Sequence, residues 1–131
     1  MLDSTFLIDL LERPERIAAA ARRLEGDRLA TTRINFYEVL VGAFSLPDHE
    51  RREKKLETAA ALFERLDVLD LNGVSTVRAA QIAGMLNQQG KPIEASDCLI
   101  AGIALTHGAT TIVTRNARHF TGIPGLAVET Y

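Results

Sequence analysis

The sequence is poor in cysteine, in long apolar runs and in net charge, and each shortage narrows what the chain can be. The single cysteine, Cys98, stands in the run Cys98-Leu99-Ile100-Ala101. No internal disulfide is possible, and such a residue reads as a small buried hydrophobe in a protein of a reducing compartment. No stretch approaches the roughly 20 apolar residues that cross a bilayer. Met1-Leu2-Asp3 also lacks the basic start and apolar run of a secretory signal, so a cytoplasmic location without membrane association is the expectation. Lys and Arg number 15 against 17 Asp and Glu, a net charge of −2. That balance argues against a protein that coats nucleic acid through its bulk field, while leaving room for a local basic patch. With no repeat, linker or low-complexity tract, residues 1–131 read as one domain, which can bury about two-thirds of its unfolded surface.

Short β-branched or apolar segments alternate with helical ones. Met1-Leu2-Asp3 can end a nearly truncated first strand, after which Ser4 or Thr5 can cap a helix carrying Phe6, Leu7, Leu10 and Leu11. Pro14 suits the first turn of a second helix that runs to Leu24 before Gly26. Arg28 to Thr31 reads as a strand, Thr32 as the cap of a helix over Arg33 to Phe44, and Pro47-Asp48 as the start of a longer helix. Val68-Leu69 is strand-like, and helices over Val74 to Gln89 and Ile93 to His107 are stopped by Gly90 and Gly108. Thr110 to Thr114 and Ala127 to Glu129 complete the strands, with a turn of helix from Asn116 to Phe120 between them. The alternation predicts an α/β fold, a parallel sheet covered by helices on both faces, whose ligands bind outside the carboxyl ends of the strands.

Three acids stand out against that frame. Asp3 follows the first strand, although Asp-Ser-Thr is also an ordinary helix start. Glu38 is the only charged side chain from Ile34 to Ser45, in a helix apolar nearly all round and therefore expected to be buried. A carboxylate there is costly unless a cation, hydrogen bonds or a solvent window compensates it. Asp97 heads the apolar run to Leu105, where the helix dipole alone could account for a surface acid. Thr114, Arg115 and Asn116 end the strand at Thr110 to Val113 and should emerge on the same edge as Asp3, with Asn116 also suited to a helix cap. Carboxylates without a histidine or cysteine cluster point to a hard cation, Mg²⁺ or Mn²⁺, rather than zinc.

These residues lie in blocks with a family likeness: Leu2-Asp3-Ser4-Thr5, then Asn35-Phe36-Tyr37-Glu38-Val39-Leu40-Val41-Gly42, Pro92-Ile93-Glu94-Ala95-Ser96-Asp97-Cys98-Leu99-Ile100-Ala101, and Thr114-Arg115-Asn116-Ala117-Arg118-His119-Phe120 followed by Ile123-Pro124-Gly125-Leu126. Together they resemble the PIN-domain family, specifically its VapC-like toxins, over nearly the whole chain. The resemblance implies a three-layer α/β/α sandwich with a central parallel sheet, metal-dependent endonucleolytic cleavage of RNA, dimerisation to a homodimer and neutralisation by a VapB-like antitoxin. It places the family's first three acids on Asp3, Glu38 and Asp97, as catalytic residues and metal ligands. The fourth position, often aspartate in the family, falls on Asn116, which brings no charge. Thr5 stands where the family more often has asparagine, so the hydroxyl of Ser4 or Thr5 must serve beside Asp3, with Thr114 and Asn116 in support.

Arg115, Arg118 and His119, just beyond the strand end, are candidates to touch the RNA backbone. Arg51, Arg52, Lys54 and Lys55 read instead as a solvated helix face. Phe6, Leu10, Phe44 and Leu46 either fill the core or serve the dimer and antitoxin contacts. The rival reading keeps the fold and drops the chemistry, leaving a catalytically weak module that binds RNA or a protein. A phosphoacceptor domain fits poorly, since the strand Val68-Leu69-Asp70 supplies only an isolated acid.

Overall fold

The computed structural model describes residues 1–131. Helices α1 (Ser4–Glu12) and α2 (Pro14–Arg23) precede strand β1 (Ala30–Thr32). A hairpin of α3 (Arg33–Phe44) and α4 (His49–Phe63) leads to β2 (Asp67–Leu69), and α5 (Gly73–Gln88) and α6 (Ala95–Thr106) lead to β3 (Thr111–Val113). The single turn α7 (Ala117–Phe120) and β4 (Ala127–Glu129) end the chain. Local chemistry sets most of these boundaries. The side chains of Thr32, Asp48 and Asn72 accept hydrogen bonds from the backbone N–H three residues on. Gly90 and Gly108 adopt positive φ where α5 and α6 stop, a conformation that glycine reaches without steric cost.

The first strand is reduced to one parallel bridge, Leu2 with Val113, yet it joins the sheet together. The Leu2 N–H donates to the Ala30 carbonyl (2.7 Å), the Val113 N–H to Met1 (2.8 Å) and the Asp3 N–H to Val113 (3.1 Å). The segment 1–3 thus sits between the parallel pairs β1–β2 and β3–β4, giving the order β2, β1, residues 1–3, β3, β4. The chain builds outward to one side with β1 and β2, then returns and builds to the other. The point of reversal lies between Asp3 and the end of β3, where doubly wound sheets form their binding crevice.

Successive strand residues face opposite sides of a sheet, and the core divides accordingly. Leu2 and Val113 pack with Phe6, Leu7, Ile17, Val39 and Phe63 on the side of α1, α2 and α4. Ile112 packs with Ile82, Leu86, Ile100, Ala104 and Phe120 on the side of α5 and α6. The result is the expected α/β/α sandwich. Helix α6, which carries Asp97, lies so close to α5 that a Cβ on Gly102 would fall 2.6 Å from the Ser75 carbonyl oxygen and 2.8 Å from the Ala79 Cβ. Cys98 is buried, as its apolar run predicts.

Three expectations are corrected. Asp3, not Ser4 or Thr5, occupies the N-cap of α1, and its side chain makes no capping bond because it turns towards other donors. Helix α6 starts at Ala95 rather than Ile93, because the chain stays extended through Glu94; Asp97 consequently lies in the first turn. Helix α3 is not buried all round: it fully buries Asn35, Val39 and Ala43 but leaves Tyr37, Val41 and Phe44 in solvent. Its packing partners α1, α4 and α6 cover only part of its apolar circumference.

Candidate active site

At the point of reversal the Asp3 carboxylate is 3 % exposed. Its Oδ2 accepts from the Thr5 hydroxyl (2.8 Å) and from the Thr114 hydroxyl (2.7 Å). Both donors fall on one oxygen, which leaves Oδ1 as the atom free to meet a ligand. The two hydroxyls lie 3.3 Å apart and are themselves oriented: the Arg115 N–H donates to Thr5 Oγ1 (3.1 Å) and the Asn116 N–H to Thr114 Oγ1 (2.9 Å). The turn after β3 therefore fixes the acid at the end of the first strand. The Ser4 contribution is its backbone N–H, which donates to Asn35 Oδ1 (3.2 Å).

Glu38 is half-buried on α3, one turn beyond the cap at Thr32 and Asn35. Asp97 is largely buried, and its Oδ2 meets His119 Nδ1 at 2.8 Å. Arg118 Nε donates to His119 Nε2 (3.2 Å), which assigns Nε2 as acceptor and Nδ1 as the proton donor to Asp97. Burial foremost raises the Asp97 carboxyl above its usual range; His119 pulls it down, and the charges of Asp3 and Glu38 push it further up. Asp97 is thus in electrostatic reach of both other acids. No three His, Cys, Asp or Glu side chains converge as a ready-made metal cluster; His119 meets Asp97 through Oδ2 alone.

Two groups that sequence reasoning passed over hold this edge together. Asn35 is wholly buried; its Nδ2 donates to the Leu2 carbonyl and to Thr31 Oγ1, each at 3.1 Å, while its N–H reaches Thr32 Oγ1. It ties α3 to the first strand. Its signal was visible as an amide in an apolar helix, where an unpaired polar group would be costly. The second is Asp9, 2 % exposed on α1. Its Oδ2 receives Arg115 Nη1 (2.6 Å) and the Tyr131 hydroxyl (3.0 Å). Arg115, expected to face RNA, is committed to this pair through Nη1 while its side chain remains about half exposed. Nothing local announced the contact, because its members are separated by more than 100 residues.

The PIN domain profile matches residues 1–125. The chain belongs to the PIN-domain family. Its relatives place it in the VapC branch of that family. It is 32% identical to the tRNA(fMet)-specific endonuclease VapC of Salmonella typhimurium, covering 98% of this chain and 95% of that one. It is 34% identical to ribonuclease VapC1 of Haemophilus influenzae (strain R2866), over 96% and 92% of the two chains. Among solved structures, the PIN fold is shared with VapBC2 from Rickettsia felis bound to a DNA fragment from its promoter, at a TM-score of 0.84 and 26% identity, covering 100% and 97% of the chains. That agreement over full length shows that the shortened first strand of this PIN domain leaves the sheet topology intact.

Proposed function

We propose that this PIN domain is a Mg²⁺- or Mn²⁺-dependent endoribonuclease, the toxin of a VapBC-type pair, and that Asp3, Glu38 and Asp97 are its catalytic and metal-binding carboxylates. The observation that carries the reading is the Asp3 carboxylate, held through Oδ2 by Thr5 and Thr114 at the reversal point of the sheet, with Asp97 in the field of both Asp3 and Glu38. An all-oxygen donor set fits a hard cation, and the contact of Asp97 with His119 takes only its Oδ2. When bound, such an ion stabilises charge on the reacting phosphate and acidifies the attacking water.

The protein's own part is positioning and proton handling. Thr5 and Thr114 hold Asp3 through Oδ2 and leave Oδ1 for a ligand, and His119 fixes Asp97 through its Oδ2. Glu38, half in solvent, is placed to accept a proton from the attacking water. Water adds to phosphorus as the P–O3′ bond breaks and the departing O3′ takes a proton from solvent, leaving a 5′-phosphate and a 3′-hydroxyl. Asn116 supports the Thr114 hydroxyl through its N–H and adds no charge, while Arg118, His119 and the unpaired part of Arg115 offer contacts to the strand on either side.

The exposed residues Tyr37, Val41 and Phe44 recur at helical spacing on one face of α3, an apolar stripe suited to a protein partner. A VapB-like antitoxin and a second copy of the chain are the partners we assign to the molecule. Phe6 takes no part in this, since it is in the core.

Purified protein incubated with total RNA and Mg²⁺, Mn²⁺ or chelator, beside Asp97→Asn, tests the reading. Cutting that needs the metal and vanishes in the variant is expected; metal-independent cutting, or normal turnover by Asp97→Asn, overturns it. The absence of a preformed three-acid cluster favours the alternative, a binding module without chemistry. A folded protein that binds RNA but never cuts it would establish that alternative.

A further inference from the structure

Away from the acids, a cleft of about 650 Å³ opens between the end of α1 and the α3–α4 hairpin. Four cations, Arg13, Arg51, Lys54 and Lys55, line it with a single acid, Glu12, and the hydroxyl-bearing Thr58. In a chain with more acid than base, this is a local concentration of positive charge. We propose that the cleft binds the phosphate backbone of RNA flanking the cleaved bond. The proposal rests on the ribonuclease reading for its substrate class.

Position supports the assignment. Helix α1 starts at Asp3 and ends at Glu12, so the cleft lies at the far end of the helix that begins in the candidate site. Lys55 pairs with Glu12, and its Nζ lies 3.8 Å from where a Cβ on Gly42 would stand. Gly42 is four residues after Glu38 and shares its face of α3, about 6 Å along the axis. Lys55, on one wall of the cleft, therefore lies beside the turn of α3 that follows Glu38. The cleft thus lies along the backbone from the candidate site, over flanking nucleotides rather than the cleaved bond itself.

The composition of the cleft also discriminates. Of the charged residues of α4, the bases Arg51, Lys54 and Lys55 line the cleft, while the acids Glu50, Glu53 and Glu57 do not. Only Leu11 and Leu46 offer apolar surface, too little for the buried anchors on which peptide recognition depends. Point charges and a hydroxyl in an open cleft match a phosphodiester chain.

The test is Arg51→Glu with Lys54→Glu, both exposed and outside the candidate site, against a control of equal charge, Arg16→Glu with Arg22→Glu on the exposed face of α2. Fluorescently labelled single-stranded RNA is titrated in chelator, with its integrity checked on a gel. The cleft variant should lose at least tenfold in affinity, and its log–log salt dependence should flatten by about 1.4, the loss of two single-strand phosphate contacts. The control should change less than about threefold. Equal losses in both variants would reduce the effect to bulk charge and overturn the proposal, as would parent-like RNA binding by the cleft variant. Unchanged RNA affinity with lost affinity for a labelled polyglutamate peptide would reassign the cleft to an acidic protein segment. Binding is read without cleavage, so a protein that binds through the cleft but never cuts would refute the catalytic reading and leave this one standing.

Discussion

The Asp9–Arg115 pair should respond very unequally to loss of either partner. The Asp9 side chain is 3 % exposed and that of Arg115 47 %. Truncating Arg115 to Ala leaves a carboxylate buried with the Tyr131 hydroxyl as its remaining donor. Breaking a fully buried pair costs about 3–5 kcal/mol; the space vacated by a half-exposed arginine admits water, which brings the expected cost down to about 2–3 kcal/mol. Asp9→Ala instead strands a guanidinium that solvent already reaches, at about 1 kcal/mol. The double variant removes the orphaned carboxylate and should be more stable than Arg115→Ala alone. At roughly 3–4 °C per kcal/mol for a domain of this size, melting followed by far-ultraviolet circular dichroism in chelator should fall about 8 °C for Arg115→Ala and about 3 °C for Asp9→Ala. Equal losses, or a double variant that melts at the sum of both, would show that desolvation of Asp9 is not what the pair compensates.

Asp97→Asn should raise the metal-free melting temperature at neutral pH. Burial lifts the folded-state pKa of Asp97 above 3.8, so its contribution to stability is full below the unfolded value and lost as pH rises through the folded one; a variant that melts lower at neutral pH but not at pH 3 would refute this. Tyr131 is pushed up to about 12, mainly by burial. By the same sign, stability should fall between about pH 10 and pH 12 as the phenol is forced to ionise, and Tyr131→Phe should remove part of that fall; an identical alkaline profile for the variant would count against it. Gly102→Ala should destabilise by about 1–3 kcal/mol through overpacking, because its Cβ would press on the α5 backbone at Ser75; a melting temperature within a degree of the parent would mean that α5 and α6 can move apart freely.

The limits of sequence reading follow from which interactions are local. Caps at Thr32 and Asp48 and stops at Gly90 and Gly108 act within a few residues, so the starts of α3 and α4 and the ends of α5 and α6 were legible to within a residue or two, while the start of α6, which has no side-chain cap, was not. The first strand was not, because one bridge at Leu2 derives its stability from β1 and β3 on either side rather than from its own composition. The site divides in the same way. Asp3 could be singled out by its place after the first strand, and Glu38 and Asp97 because a lone carboxylate in an apolar setting is costly wherever the chain folds; the structure puts Asp97 in the field of the other two. The cation cleft was hidden for the opposite reason: along α4, Arg51, Lys54 and Lys55 look like a solvated surface. Only when α1 brings Arg13 and Glu12 across from them does the charge gain a concave shape, and shape converts a charged face into a candidate binding surface.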